Sequence, residues 1–323
     1  MARTRGHGTQ RGVRGAGYGS AVQVLPIALS AVAAAAVAPG LRQGLVDGGH
    51  TVKNYRGAEL ACPLGIILVA AIALTLGALQ AIDSFGWHGD GLFFVVSPVF
   101  VLGVAALGLF DDAYSGPSRG WRGHGAAVRR GEFPSGLLKA VGTVGLAAYA
   151  IQLPPYPETG NLAALDIGPY IVADPDSHTA PYLLSVVVLV LSTNLFNIID
   201  LRPGRAAKGL LFVVIGCTIA VGTELLDAFG VYLGAIAVVA VYDLRERGML
   251  GDTGANLLGA VAGLMLVTSI TSTLGLALCA AVLLAITAYG EFRSISAFVE
   301  RTPGLRHLDS VGRIHNPRKD ASA

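Results

Sequence analysis

The stretch LLSVVVLVLSTNLFNIID, residues 183–200, is an apolar run that ends in polar side chains. Two further apolar runs border on short polar clusters, GLFDD at 108–112 and GDTG at 251–254. An Asp at the centre of a membrane helix costs roughly 2.5–3.5 kcal/mol on insertion scales, so acids gathered near such runs need a partner. A divalent cation held by Asp oxygens and by a phosphate is one such partner. The pattern therefore favours an enzyme that works at a membrane surface.

The composition is that of a membrane protein. Of the 323 residues, 53% are hydrophobic and 14% are charged, whereas soluble domains contain about 25% charged residues. Since a transmembrane helix needs about 20 apolar residues, we predict an all-α fold, a polytopic bundle of about nine (nine or ten) transmembrane helices. The apolar runs cover residues 21–41, 62–82, 92–110, 135–153, 181–199, 208–223, 226–242, 253–270 and 272–290.

The positive charges lie on alternate connections between these runs. If the connection 42–61 faces the cytoplasm, the odd-numbered connections, the adjoining ends of the runs that follow them and the C-terminal tail hold every Lys and Arg except the four that precede residue 20. The positive-inside rule then predicts a multi-pass protein of the plasma membrane whose polar clusters face the cytoplasm. The four N-terminal arginines conflict with this topology, and residues 1–40 also have the pattern of a signal peptide, so the topology of the N-terminus stays open.

Composition divides the chain into three segments. Residues 1–20 are rich in Gly and Arg and are predicted to be disordered. Residues 21–290 are predicted to form the membrane domain, and residues 291–323 a cytoplasmic tail in which 301–313 has the pattern of an interfacial amphipathic helix. The connection 154–180 is acidic and rich in Pro, as expected of an outer surface loop. The three cysteines stand singly, without the spacing of a metal site or a disulfide framework.

Each of the first two polar clusters has two interpretations. Asp111 and Asp112 are neighbours and point about 100° apart on a helix, which suits one to metal binding and the other to orienting a nucleophile. The alternative is a solvated helix end. Asn194, Asn197 and Asp200 recur at every third position as a polar stripe, for which the alternative is hydrogen bonding between helices.

The third cluster completes a predicted site. Asp252 follows a glycine that permits a tight turn and precedes a helix N-terminus, which favours anions; the alternative is a plain N-cap. Together the clusters predict a Mg²⁺-dependent phosphate site at the membrane surface. Positive side chains would neutralise the phosphates, or else contact anionic lipid headgroups. The candidates are Lys53, Arg56, Lys139, Arg202, Arg205 and Lys208.

Four motifs, in their order and spacing, resemble those of the polyprenyl-phosphate N-acetylhexosamine-1-phosphate transferases. They are KNYRG (53–57), GLFDD, NLFNIID (194–200) and MLGDTGANLLG (249–259), and they cover most of the membrane domain. The family includes phospho-N-acetylmuramoyl-pentapeptide transferase and the N-acetylglucosamine-1-phosphate transferases. By position, the resemblance assigns catalysis and metal binding to Asp111, Asp112 and Asp252. It assigns substrate contacts to Lys53, Arg56, Lys139, Asn194, Asn197 and Asp200.

The resemblance also implies a reaction. In the family, a membrane-held polyprenyl phosphate attacks the β-phosphate of a UDP-sugar, which gives a polyprenyl-diphosphate-sugar and UMP, and Mg²⁺ is required. The expected partners are a UDP-activated amino sugar, undecaprenyl or decaprenyl phosphate, and the lipid bilayer. No nucleic acid is expected as a partner, and a homodimer is left open. The expected role is the synthesis of peptidoglycan or another envelope glycan.

The sequence departs from the family pattern at several positions. The family commonly continues its Asn/Asp motif as DGLDGLA, but here Pro203 stands at the position of the second Asp, and Ala255 replaces the usual Ser after GDTG. The histidine cluster of the family is also missing from the tail. These changes leave open a catalytically altered relative that acts as a scaffold in envelope assembly. A cation-coupled transporter is a further alternative, because acids within membrane segments often mark ion paths.

Overall fold

The computed structural model describes residues 20–85, 97–114, 135–152 and 179–314. In chain order its elements are α1 (Ser20–Asp47), β1 (Thr51–Lys53), β2 (Glu59–Ala61), α2 (Gly65–Ser84), α3 (Pro98–Tyr114), α4 (Ser135–Gln152), α5 (Thr179–Ile199), α6 (Arg205–Val221), α7 (Glu224–Leu244), α8 (Gly251–Ser269), α9 (Thr273–Phe292), α10 (Ile295–Arg301) and α11 (Pro303–Ser310). Several predictions fall outside the described residues: the disordered N-terminus up to residue 19, the basic loop at 115–134, the outer loop at 153–178, and the tail beyond residue 314.

The described chain is mostly helical. Five helices are long and apolar enough to cross a membrane, namely α1 from Val24 onward, α2, α5, α7 from Leu225 onward, and α9. The prediction of a helical membrane protein is confirmed to this extent. The other four predicted spans also coincide with helices, but α3, α4, α6 and α8 have only 17 to 19 residues. A count of nine spans and the sidedness of the loops stay predictions.

The helix α8 forms the centre of the bundle. Most of its side chains are buried, and it packs against α2, α3, α5 and α6. A helix that is buried on all sides has to be apolar all round, and the sequence ANLLGAVAGLML (255–266) has this character. Its many small residues allow neighbouring helices to approach closely, as is common in membrane bundles.

Two glycines show how close the approach to α8 is. A Cβ atom added to Gly259 would lie 2.7 Å from both the carbonyl oxygen of Ser192 and the Cα of Thr193 on α5. A Cβ atom added to Gly108 on α3 would lie 2.5 Å from the carbonyl oxygen of Asp252. The glycines therefore bring the backbones of α3 and α5 into direct contact with α8. This contact fixes where the polar ends of these helices meet.

A short hairpin, which the sequence analysis did not predict, links α1 to α2. Its strands β1 and β2 are antiparallel, and the chain that leaves β2 pairs with the segment before α8. The Met249 N–H donates to the Ala61 carbonyl at 2.8 Å, the Leu64 N–H donates to the Met249 carbonyl at 2.7 Å, and the Gly65 N–H donates to the Leu250 carbonyl at 3.0 Å. These bonds hold the base of the hairpin against the segment that precedes α8, and the KNYRG segment forms the far end of the hairpin.

We predict that Gly259→Ala destabilises the protein, because the added methyl group has no room between α8 and α5. Overpacking of this kind typically costs about 1–3 kcal/mol. Thermal unfolding in detergent measures the effect. The matched control is Gly216→Ala on α6, since Gly216 is exposed and a Cβ there meets no atom within 4 Å. The control should unfold at the wild-type temperature or above it, and equal losses in both variants would contradict the packing argument.

Candidate functional site

The carboxylate of Asp112, at the end of α3, caps the N-terminus of α8. One of its oxygens accepts the Asp252 N–H at 2.9 Å, and the other accepts the Thr253 N–H at 2.9 Å and the Thr253 hydroxyl at 2.6 Å. The N-cap residue of α8 itself, Leu250, makes no side-chain cap. A negative charge at this end also complements the helix dipole. Asp112 therefore positions Asp252 relative to α3.

Lys139 on α4 lies between two other carboxylates. Its Nζ is 2.5 Å from an oxygen of Asp252 and 3.5 Å from an oxygen of Asp111. The other oxygen of Asp111 accepts a hydrogen bond from the Ser135 hydroxyl at 2.5 Å. All of these side chains are partly buried. Two acids of the site thus converge on one positive charge.

Asn197 on α5 completes this cluster. With its amide oriented to satisfy its neighbours, the nitrogen donates to the second oxygen of Asp252 at 3.0 Å, and the amide oxygen accepts from Lys139 Nζ at 2.6 Å. The structure therefore brings together residues from all three sequence clusters, on α3, α5 and α8, together with Lys139 from α4. Asn194 lies on α5 three residues before Asn197 and is half-buried.

Asp200 lies next to this cluster, directly after α5. Burial raises the pKa of Asp200 well above its ordinary value, and the carboxylates of Asp243 and Asp252 raise it further, against the opposing charge of Arg205. Cys62 is a second neighbour. Burial and the nearby acids raise the pKa of this thiol to about 12.

Two predicted substrate contacts lie apart from the cluster. Lys53 is exposed on β1. Arg56 is engaged elsewhere: its guanidinium is 3.5 Å from the Glu246 carboxylate and donates to the Ile314 carbonyl at 2.9 Å and to the Tyr55 hydroxyl at 2.7 Å. The structure therefore uses Arg56 to join the hairpin to the C-terminal segment.

The sequence analysis missed two contributors to the site. Thr253 donates its backbone N–H and its hydroxyl to the Asp112 carboxylate. It lies inside the GDTG motif, so its position in that motif could have identified it. Ser135, which binds Asp111, is the first residue of α4. Serine is common at helix starts for reasons of capping alone, so no signal distinguished it.

The carboxylates of the cluster bear on whether the site fits Mg²⁺. Among the described residues, no three Asp, Glu, His or Cys side chains are grouped so as to hold a metal ion. Mg²⁺ at phosphate sites is commonly bound by one or two carboxylates, with waters and substrate oxygens as the other ligands. Asp111 and Asp252 both contact the Lys139 cation and supply such a pair, whereas Asp112 contacts backbone N–H groups of α8. Asp111 and Asp252 therefore fit a two-carboxylate site, and a part for Asp112 in metal binding stays a prediction.

Comparison with known proteins gives no further assignment, since no family model and no curated protein matches this chain.

We predict that Asp112→Asn lowers the thermal stability of the protein more than Asp111→Asn does. An asparagine at position 112 would turn an NH₂ group toward N–H donors, and leaving a buried donor without its acceptor costs about 1–3 kcal/mol. The two substitutions remove the same charge from adjacent positions, so they control for each other. Thermal unfolding without Mg²⁺ is the measurement, and equal stability of the two variants would contradict the capping role.

A second prediction concerns the cation between Asp111 and Asp252. Lys139→Ala leaves the two carboxylates without their shared positive charge, so the variant should unfold at a lower temperature than the wild type. Millimolar Mg²⁺ should restore more stability to this variant than it adds to the wild type. Arg306→Ala, at an exposed position of α11, is the control. If Mg²⁺ raises the unfolding temperature of Lys139→Ala and of the control by the same amount, Asp111 and Asp252 do not form a metal site.

Proposed function

We propose that the protein transfers a HexNAc-1-phosphate group, GlcNAc-1-phosphate or MurNAc-pentapeptide-1-phosphate, from a UDP-sugar to polyprenyl phosphate and releases UMP. The observation that carries the proposal is the convergence of Asp111 and Asp252 on the Lys139 cation, at the ends of apolar helices. A site of this kind suits two phosphate groups that must approach each other beside a bilayer. The motif resemblance supports the same reaction.

The proposed reaction is a substitution at phosphorus. A phosphate oxygen of the lipid acceptor forms a bond to the β-phosphorus of the UDP-sugar, and the bond from that phosphorus to the bridging oxygen breaks. UMP leaves with the electron pair of the broken bond. The acceptor is already an anion, so charge neutralisation is the main task of the site. Because the acceptor remains in the membrane, the site has to lie at the membrane surface.

Each residue of the cluster has a task in this proposal. Asp111 and Asp252 would hold Mg²⁺, which when bound supplies positive charge to the phosphate oxygens. The Lys139 ammonium neutralises further negative charge. Asn197 orients the Asp252 carboxylate and Lys139 through its two hydrogen bonds, and Asp112 fixes the start of α8. The site would face the cytoplasm of the cell, where nucleotide sugars are available.

Two other functions stay as alternatives. A cation-coupled transporter would bind its ion near the middle of the membrane, whereas Asp111 lies near the C-terminal end of α3 and Asp252 in the first turn of α8. A scaffold without catalytic activity would not depend on the Asp252 carboxylate. An experiment that measures turnover in the wild type and in an Asp252 variant separates the transferase from both alternatives.

We predict that membranes containing the protein form labelled lipid and UMP from polyprenyl phosphate and a labelled UDP-sugar when Mg²⁺ is present. UDP-GlcNAc and UDP-MurNAc-pentapeptide are the first donors to test. EDTA should abolish the reaction, and added Mg²⁺ should restore it. Asp252→Asn should lower the rate about 100-fold or more, the usual effect of losing one charge-stabilising group.

The matched control is Asp47→Asn, the same chemical change at the exposed end of α1. It should retain wild-type turnover. Failure to form either product from a panel of UDP-sugars, with folded protein in the membrane, would refute the proposed transfer. Wild-type turnover in Asp252→Asn would contradict the catalytic role that the proposal assigns to the cluster.

A further inference from the structure

A second polar cluster joins the loop before α6 to the C-terminal segment, which we define as residues 294–314. Arg205 lies at its centre, and only 9% of its side chain is exposed. Its Nε and one terminal nitrogen donate to the two carboxylate oxygens of Asp309 at 3.0 and 3.1 Å. The guanidinium fork thus binds the carboxylate in the paired geometry that arginine uses for carboxylates and phosphates.

Two further cations, Lys208 and Arg313, contact Asp309. Lys208 Nζ donates to the Asp309 carbonyl at 2.7 Å, and Arg313 donates to the Asp309 carboxylate at 2.6 Å. Arg313 also donates to the Pro203 carbonyl at 2.9 Å, which anchors it against the loop. Two guanidinium groups therefore contact the Asp309 carboxylate, and the Lys208 ammonium contacts the backbone carbonyl of the same residue. Another acid whose charge interacts with Lys208 and Arg313, Asp243, accepts the Gly204 N–H at 2.6 Å.

The first turn of α6 adds to this excess of positive charge. Arg205 and Lys208 both lie in that turn, and the N-terminus of a helix carries partial positive charge and attracts anions. A carboxylate contributes one negative charge and two acceptor oxygens. A phosphate group contributes up to two charges and three acceptor oxygens, so it matches the three cations better than Asp309 does.

The segment that carries Asp309 is attached mainly by polar contacts. Within the described chain, α11 has no buried side chain and α10 buries only Ile295. Leu305 and Leu308 of α11 are exposed by 39% and 46%. Because little apolar surface is buried, releasing α11 costs chiefly its ionic contacts, and an anion that binds the same cations would replace them.

The charge state of Asp309 excludes protonation as the event that releases the segment at neutral pH. Burial alone raises the pKa of Asp309, but hydrogen bonds from Arg205 and the charges of Arg205 and Arg313 outweigh it and lower the pKa. The contact is therefore fully present above the ordinary carboxyl pKa of about 3.9 and is lost only as the pH falls through the lower folded value. At neutral pH, protonation does not release the segment.

We propose that Arg205, Lys208 and Arg313 form a binding site for a phosphate group, which Asp309 occupies when that ligand is absent. The phosphate belongs either to a soluble diphosphate or to a lipid headgroup. The site adjoins the Lys139 cluster, because Asp200 interacts with both Arg205 and Asp252. Binding at this site does not require that the protein catalyse a transfer, so the proposal goes beyond the proposed function.

The test uses the full-length protein in nanodiscs of neutral phosphatidylcholine, with inorganic pyrophosphate as the probe. Hydrogen exchange of α11, residues 303–310, should accelerate saturably as pyrophosphate is added, while Arg313 keeps its hydrogen bond to the Pro203 carbonyl. Asp309→Asn removes the internal competitor and should bind pyrophosphate about tenfold more tightly, in line with the strength of a charge-assisted pair. A second series in nanodiscs that contain phosphatidic acid, whose headgroup is a phosphate monoester, tests the lipid source.

The controls separate binding from loss of the fold. Lys208→Gln should weaken pyrophosphate binding while keeping the buried Arg205, whereas Arg306→Ala on the exposed face of α11 should bind as the wild type does. Release of α11 by phosphatidic acid alone would identify a lipid headgroup as the ligand. If neither anion accelerates exchange, or if Lys208→Gln binds pyrophosphate as tightly as the wild type, the proposal is wrong. These readouts do not involve turnover and stay distinct from the transferase assay.

Discussion

The structure depends on neutralising carboxylates at the ends of apolar helices. Asp111 and Asp252 share the charge of Lys139, and Asp112 is satisfied by the N-terminus of α8. Each acid is therefore matched to a positive group on another helix, and these pairings determine how α3, α4, α5 and α8 meet. The arrangement that stabilises the bundle is the same one that could receive phosphate groups, so stability and the proposed chemistry use one set of side chains.

Close packing makes these pairings possible. Side chains as short as Asp and Asn reach across a helix interface only when the backbones are near each other, and Gly108 and Gly259 allow that distance at α8. The glycine in GLFDD and the last glycine in MLGDTGANLLG thus have a packing role beside the acids they accompany. The motifs combine a polar group with the small residue that brings it to its partner.

The positions of most helices could be predicted from the sequence, because the length and polarity of each apolar run can be read directly from its residues. The meeting of Asp111, Asn197 and Asp252 could also be anticipated, since all three border on runs that end at the same predicted face. The capping role of Asp112 could not, because it depends on which oxygen faces which N–H. The roles of Arg56 and Arg205 were equally hidden, since their partners lie about 250 and 100 residues away along the chain.

The paired backbone segments before α2 and α8 have a consequence for variation in chain length. The bonds between 61–65 and 249–250 fix the spacing of both segments to the residue, and Asp252 follows only two positions later. Adding or deleting one residue in either segment would shift the register of these bonds and rotate the Asp252 carboxylate away from Lys139. The turn between β1 and β2 lies outside this register, but Arg56 holds it to the Glu246 carboxylate and to the Ile314 carbonyl. A change of loop length there would therefore break side-chain contacts and leave the register before α8 unchanged.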